Sequence, residues 1–263
     1  MLLETEGTVA RLVLNRPDKL NAIDAESLEL IADYVARVNA DPAIRALVVT
    51  GRGRAFCAGG DLAELAPRFG SATEFAGFID RWNEVFNQLE ECQVPTIAAV
   101  GGTTFAGGLE LTHVCDVVVV GDDVVLGDQH ATYGFYPAGG GIQRLARLIG
   151  RRRAAWVLMS GERFTPSQAL EWGLVNEVVP TAQVLDRALE MAAHLSARSA
   201  LLNTEIKRAL RDDLTKPLES AMAIERPRAI AYAMSADTSA GLEAFNARTT
   251  PQFPDRRPRE GDQ

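Results

Sequence analysis

The chain has 263 residues, 47% of them hydrophobic and 24% charged, which is ordinary for a folded globular protein and sufficient for a substantial core. The net charge of -8 argues against a nucleic-acid partner, and three cysteines without a Cys-x-x-Cys pair indicate neither a disulfide framework nor a zinc site. The N-terminus lacks a basic segment followed by an apolar core, and no apolar run is long enough to span a bilayer, so we expect a cytoplasmic protein without a membrane partner.

Strand and helix patterns alternate through the first hundred residues. Partial alternation of apolar residues predicts strands up to residue 14, and Asp24 is a suitable N-cap for a helix whose apolar residues recur at helical spacing. Buried strands are predicted over residues 44–50 and 96–100, with a polar helix over 73–91 between them. This alternation predicts an α/β fold with substantial parallel pairing.

The alternation continues to residue 120, and from Pro166 onward the pattern is mainly helical. A short helix at 107–113 leads to a strand over 117–120, and a run of glycines ends just before a helix at 142–149. After a strand over 175–179, helices are predicted near residues 181–196, 200–211, 217–235 and 239–247. We therefore divide the chain into a core at 1–195, a helical region at 196–250 and a flexible tail at 251–263.

Two glycine-containing loops carry the candidate chemistry. The first spans residues 55–62, and the second is Gly107-Gly108-Leu109-Glu110. Small residues let backbone N–H groups approach a ligand closely, and Glu110 lies about one helical turn beyond Gly107. Two N–H donors aimed at one carbonyl oxygen beside a base would stabilise an enolate. The alternative is that the glycines only form tight turns and that Glu110 is a surface acid favoured by a helix start.

Five segments, in order, resemble the crotonase superfamily, the enoyl-CoA hydratase/isomerase group. Ala58-Gly59-Gly60-Asp61-Leu62 is similar to the first oxyanion loop of that family, and the second loop is similar to the one that carries its base. Three further segments match: the proline and glycine segment from Pro137 to Leu145, the stretch from Gly161 to Val179, and the stretch from Ala236 to Phe245. The resemblance covers nearly the whole chain.

The resemblance implies a spiral of strand-strand-helix (ββα) turns with a C-terminal helical region that forms trimers, or hexamers built from two trimers. It also implies an acyl-coenzyme A thioester as substrate, no tightly bound cofactor, and a thioester oxygen held by the N–H groups of Ala58 and Gly107. Phe245 and Arg248 would approach the nucleotide end of coenzyme A, and arginine stands at residue 248 where the family commonly has lysine. Other residues expected to contact the substrate are Leu20, Ala22, Gly59, Gly60, Asp61, Leu62, Gly108, Tyr133 and Pro137.

His130 departs from the family pattern. Hydratases of this group use a second glutamate a few residues before the proline and glycine segment, and counting back from Pro137 assigns that place to His130. An imidazole can donate or accept a proton near neutral pH. We therefore expect His130 to replace the second carboxylate, with Asp128 orienting it or taking its place. The alternative is a structural histidine bound to Asp128 or to a backbone carbonyl.

The leading hypothesis is addition of water to a 2-enoyl-CoA, in which Glu110 activates water and His130 or a second water transfers the other proton. Double-bond isomerisation with Glu110 as the single base is the closest alternative. Hydrolysis of a carbon–carbon bond in a ring-containing acyl-CoA is a third reaction of the same enolate type. A non-catalytic scaffold that binds CoA thioesters is a fourth hypothesis, against which the intact Glu110 argues.

Overall fold

A computed structural model of the protein describes residues 1–254. The strands are β1 (Leu2–Glu6), β2 (Val9–Leu14), β3 (Ala46–Gly51), β4 (Ala55–Cys57), β5 (Thr96–Val100), β6 (Thr103–Phe105), β7 (Val117–Gly121), β8 (Leu126–Gly127) and β9 (Glu177–Val179). The first eight α-helices are α1 (Ala25–Ala40), α2 (Leu62–Leu65), α3 (Ala72–Glu90), α4 (Gly107–His113), α5 (His130–Tyr133), α6 (Gly141–Ile149), α7 (Arg151–Ser160) and α8 (Pro166–Glu171). Four more follow: α9 (Val184–Ser196), α10 (Ala200–Asp213), α11 (Leu218–Ala233) and α12 (Ala236–Ala247).

The strands form two sheets joined by repeated ββα turns. The larger sheet has the order β1-β2-β3-β5-β7-β9, and all of its neighbours pair in parallel except the β1–β2 hairpin. The smaller sheet, β4-β6-β8, is parallel as well. The first turn places both β1 and β2 in the larger sheet, whereas the next three place one strand in the larger sheet, the next in the smaller sheet and then a helix. This arrangement confirms the predicted α/β spiral.

Both faces of the larger sheet are buried. Along β3, Leu47 and Val49 belong to the main core beneath α1 and α3, whereas Ala46 and Val48 face a second core beneath α9. A strand covered on both faces is expected to be a continuous apolar run, and this one is. The predicted buried strand at 44–50 is therefore confirmed, with its start shifted to Ala46.

Helix α3 differs from the polar helix predicted over 73–91. Its boundaries agree closely, but Phe78, Trp82 and Phe86 are buried along one face of the helix. Ser71 caps its N-terminus by accepting a hydrogen bond from the backbone N–H of Glu74. The many charged residues of this segment occupy the opposite face, which hid the aromatic residues at helical spacing.

The smaller sheet positions the candidate site. Strand β4 leads into residues 58–61, β6 leads into Gly107, and β8 leads into residues 128–130. Because the three strands are adjacent and parallel, their carboxyl ends meet at one edge, where ligands bind in many open α/β sheets. Loops that are far apart in the sequence are thereby brought together.

Helices α10, α11 and α12 form the C-terminal region, as predicted, and they expose many large apolar side chains. Examples are Leu201, Ile206, Leu210, Leu214, Leu218, Met222, Ile230 and Met234. The division at residues 195/196 stays a prediction. Most of the predicted tail, residues 255–263, lies outside the described residues. Across residues 1–254, no helix is both long and apolar enough to cross a membrane.

Candidate active site

A cavity of about 420 Å³ opens at the carboxyl edge of the smaller sheet. Nine predicted site residues line it, namely Ala22, Ala58, Gly60, Asp61, Leu62, Gly107, Glu110, His130 and Tyr133. The other six are not among its lining residues, namely Leu20, Gly59, Gly108, Pro137, Phe245 and Arg248. The two glycine loops and His130 therefore share one cavity.

Glu110 lies at the inner end of this cavity and is 2% exposed. Helix α4 positions its backbone, and the backbone N–H of Gly141, at the start of α6, donates a hydrogen bond of 3.0 Å to Glu110 Oε1. Gly139 leaves no space for a side chain, since an added Cβ would stand 2.1 Å from Glu110 Oε2. The proline and glycine segment thus fixes the position of the carboxyl group, a role that the sequence did not indicate.

The pKa of Glu110 is raised above its ordinary value. Burial is the main cause, because it disfavours the charged carboxylate. The positive charge of His130 and the Gly141 N–H oppose this increase, and the negative charge of Asp128 adds to it. A carboxylate with a raised pKa is a stronger base, which suits proton abstraction near neutral pH.

His130 faces the cavity beside Glu110 and is held from behind by Asp128. Its Nδ1 lies 3.0 Å from Asp128 Oδ1, and Asp128 itself is almost fully buried. Burial acts to lower the pKa of His130, but the hydrogen bond and charge of Asp128, together with the charge of Glu110, raise it overall. His130 is thus both bound to Asp128 and among the residues that line the cavity. The two hypotheses, a group that transfers a proton and a histidine bound to Asp128, are therefore compatible.

The prediction that the backbone N–H of Ala58 is an oxyanion donor is wrong. Its backbone N–H already donates to the carbonyl oxygen of Leu20 at 3.0 Å, so it is not free to bind a ligand. The N–H of Gly60, two residues further on, has no acceptor among residues 1–254, and neither has that of Gly107. Both glycines line the cavity. Sequence reasoning chose the wrong residue of the first loop because hydrogen bonding to Leu20 depends on a contact across 38 positions.

Close packing joins the two glycine loops. A Cβ on Gly59 would stand 3.0 Å from the Ala106 Cβ, and one on Gly108 would stand 2.1 Å from the carbonyl oxygen of Cys57. These two glycines therefore act through the backbone contact between the loops rather than by lining the cavity. Ala106, which precedes Gly107, has a φ of 49°, a strained value for a residue with a side chain.

An ion cluster supports the first loop from outside. The Arg16 guanidinium lies 2.9 Å from Asp61 Oδ2 and 3.0 Å from Asp24 Oδ2. It also donates to the Ala22 carbonyl oxygen. Asp61 also caps α2 by accepting a hydrogen bond from the Ala63 N–H. The cluster thus ties the segment around Ala22 to the end of the loop.

Aromatic side chains form most of the remaining cavity wall, and sequence reasoning missed nearly all of them. The set comprises Phe69, Phe75, Phe78, Trp82, Phe105, Tyr133, Phe135 and Tyr136, of which only Tyr133 was among the expected substrate contacts. Spacing at i, i+4 along α3 was the signal for Phe78 and Trp82. That spacing equally describes core residues, and the sequence could not separate the two cases.

Several other candidates do not reach the cavity. Phe245 is exposed on α12, and Arg248 caps the same helix in a left-handed conformation, so their contact with coenzyme A stays a prediction. Burial raises the pKa of the Cys57 thiol to about 12, which removes it as a nucleophile. Burial first, and then the charge of Arg144, lower the pKa of His113 to about 3, so it is neutral. Within the part of the chain that the structure describes, no cluster of side chains is arranged to hold a metal ion.

Comparisons with known proteins show the family to which the chain belongs. The family model described as enoyl-CoA hydratase/isomerase matches residues 4–256. The 2,3-dehydroadipyl-CoA hydratase of Escherichia coli is 34% identical over 96% of this chain and 98% of its own length. The 1,2-epoxyphenylacetyl-CoA isomerase of the same organism is 32% identical over 96% of this chain and 97% of its own length.

A solved structure described as an enoyl-CoA hydratase from Polaromonas superposes with a TM-score of 0.92 at 31% identity, covering 96% of this chain and 99% of that one. A second, from Bacillus anthracis, gives a TM-score of 0.91 at 28% identity, covering 96% and 98%. The chain is an acyl-CoA-processing enzyme, and it belongs to the enoyl-CoA hydratase/isomerase family of the crotonase superfamily.

Proposed function

We propose that this enzyme adds water to a 2-enoyl-CoA. The observation that carries the proposal is the convergence, in one cavity, of the Glu110 carboxyl group, the His130 imidazole and two unpaired backbone N–H groups. The donors of Gly60 and Gly107 would hold the thioester oxygen. No metal or organic cofactor has a step in this reaction.

The two titratable groups have distinct tasks. Glu110, as the carboxylate, removes a proton from water while the water oxygen bonds to the β-carbon. The double-bond electrons move onto the thioester, where the N–H groups of Gly60 and Gly107 stabilise the developing oxyanion. Losing one such donor typically raises the barrier by about 3 kcal/mol. Protonated His130 then donates its proton to the α-carbon, and Asp128 stabilises the charged imidazole before that step.

Isomerisation is the second candidate. Among residues 1–254 that line the cavity, the carboxyl groups are those of Glu110 and Asp61, and Asp61 is engaged by Arg16. Moving a double bond requires one base to carry a proton between two carbons, which Glu110 alone can do. The similarity to proteins named as a hydratase and as an isomerase at nearly equal identity does not separate the two reactions. No contact of the described residues favours carbon–carbon bond hydrolysis.

The proposal is tested by following loss of enoyl thioester absorbance with crotonyl-CoA and identifying the 3-hydroxyacyl product. Glu110→Gln preserves the shape of the side chain but removes the base, so we expect kcat to fall by about 10²- to 10⁴-fold. Glu171→Gln, which changes an exposed carboxylate on α8, should leave kcat unaltered. Absence of any 3-hydroxyacyl product from the unaltered enzyme across several chain lengths would refute hydration.

His130→Gln separates hydration from isomerisation. It removes the proposed acid, so hydration should fall by about 10²-fold or more. Transfer of a 3-enoyl to a 2-enoyl double bond needs only Glu110 and should change little. His194→Gln, at an exposed position on α9, is the matched control. If hydration survives in His130→Gln, the second proton comes from another group and the role assigned to His130 is wrong.

We also propose that helices α10–α12 mediate assembly into a homotrimer or a hexamer. This region exposes several large leucine and methionine side chains. A cluster of exposed apolar side chains is typical of a protein–protein interface. The measurement is the mass in solution by light scattering, expected at three or six times the chain mass. Replacing Leu210 and Leu214 by lysine should yield smaller species, and a monomeric unaltered protein would contradict the assignment.

A further inference from the structure

The acyl side of the cavity is built mainly from aromatic rings. Its lining includes eight Phe, Tyr and Trp side chains, whereas its larger aliphatic residues are Leu62, Leu65 and Ile79. Aromatic residues are only 6% of the chain, so composition does not explain this concentration. We call six of these residues the aromatic wall: Phe69, Phe75, Phe78, Trp82, Tyr133 and Phe135.

Four rings of the aromatic wall contact one another in series, and Phe78 and Trp82 form a separate pair with centroids 5.9 Å apart. The Phe69 ring stacks on Phe135 with centroids 5.2 Å apart and planes 15° apart, and it meets Phe75 at 5.4 Å. Phe135 in turn lies 6.3 Å from Tyr133. The wall therefore presents flat ring surfaces from three separate segments, held at defined angles by contact with each other.

The wall begins next to the proposed seat of the thioester. A Cβ on Gly107 would stand 2.5 Å from Trp82 Cζ2, and one on Gly60 would stand 3.8 Å from Trp82 Cζ3. The indole of Trp82 thus packs beneath both proposed oxyanion donors. Toward the opening, Phe69 is 46% exposed and Tyr133 is 69% exposed. Large exposed rings at the mouth of a cavity are typical of a ligand-binding surface.

We propose that the acyl group bears an aromatic ring, as in a 3-aryl-2-propenoyl thioester, and that the aromatic wall selects it by ring-to-ring contact. This inference rests on the proposed function, because it places the thioester at Gly60 and Gly107. An alkyl chain would gain only from burial of its surface. An aryl ring gains in addition from offset or edge-to-face contact, which increases affinity by about 2- to 10-fold for each favourable pair.

The test compares two saturated thioesters with the same carbon skeleton, 3-phenylpropanoyl-CoA and 3-cyclohexylpropanoyl-CoA. Neither has a double bond to hydrate, so their dissociation constants are measured by calorimetry whatever reaction the enzyme performs. The cyclohexyl ring is more hydrophobic, and burial alone would favour it. We expect the phenyl compound to bind about 2- to 10-fold more tightly. Equal or tighter binding of the cyclohexyl compound would overturn the proposal.

Substitutions test whether the aromatic wall causes the preference for the phenyl compound. Phe69→Leu and Phe135→Leu keep apolar volume but remove a ring face, so each should reduce the phenyl preference toward unity. Trp156→Leu removes an exposed ring outside the cavity and should keep it. A preference that persists in both phenylalanine variants would refute the role of the wall. Hydration of crotonyl-CoA without a phenyl preference would leave the proposed function intact, and a phenyl preference without hydration of any enoyl-CoA would leave this inference intact.

Discussion

The cavity has two unlike regions. Gly60, Gly107, Glu110 and His130 form the part of the cavity that we propose to be catalytic, and we call it the catalytic corner. It is fixed by backbone groups at the ends of strands and the starts of helices. The aromatic wall is formed by side chains that contact one another, and it runs from the buried Phe78 and Trp82 to the exposed Phe69 and Tyr133. Chemistry that all substrates share needs fixed donors, whereas recognition of one acyl group needs only a complementary surface. The difference predicts that substitutions in the two regions affect different measurements.

Gly139→Ala should break the catalytic corner most severely. The added methyl group would stand 2.1 Å from Glu110 Oε2 and 2.4 Å from Trp82 Nε1, so the base must move. A displacement of about 1 Å in a catalytic group can cost about 10²-fold in rate. We expect kcat to fall by that order while the fold persists by circular dichroism. Activity within about threefold of the unaltered enzyme would show that the corner tolerates more movement than its packing indicates.

Asp128→Asn tests whether Glu110 acts as the base and His130 as the acid. In the proposed reaction Glu110 must be deprotonated and His130 protonated, so we expect activity to be lost below the raised pKa of Glu110 and above the raised pKa of His130. Asp128 raises the pKa of both groups. Its neutralisation should therefore shift both limbs of the pH profile of kcat/KM toward lower pH. A profile that does not shift, or an alkaline limb that moves upward, would contradict His130 as the acid.

Gly77→Ala provides the matched glycine substitution near the aromatic wall and should have the smallest effect. Gly77 lies within α3, and an added Cβ meets no atom within 4 Å. Alanine is favoured over glycine inside a helix, so the free energy of unfolding should rise by about 0.5–1 kcal/mol. Activity should be unchanged. Loss of activity in this variant would mean that motion of α3 contributes to turnover.

The difference between the catalytic corner and the aromatic wall also explains which residues could be predicted from the sequence. Glu110 and Gly107 were predicted to share one site because the chemistry of an enolate demands a base near small residues, and both line the cavity. Ala58 was misassigned as a donor because the competing partner of its N–H, the Leu20 carbonyl, lies in a separate segment. Local spacing cannot show which of three neighbouring N–H groups stays free. The parallel strands of the larger sheet followed from apolar runs, since parallel strands covered on both faces have no polar side. The short strands β4, β6 and β8 of the smaller sheet were not predicted.

The aromatic wall was harder to predict because its members come from separate segments and have no common motif. Trp82 has the same helical spacing as the core residue Phe86, and only the folded arrangement separates a cavity wall from a core. His130 was only partly predictable from the sequence. Its position was found by counting within a segment, but its direction depended on Asp128, which the fold buries behind it.

The loops that carry the proposed reactive groups follow three different strands, β4, β6 and β8, and this has a consequence for engineering. The segment from 66 to 90 carries four rings of the aromatic wall but none of the groups in the catalytic corner. Grafting the corresponding segment of a relative onto this scaffold would exchange the acyl surface while the proton-transfer apparatus stayed in place. Chimeras made at these two junctions are therefore a direct route to altered substrate range within one framework.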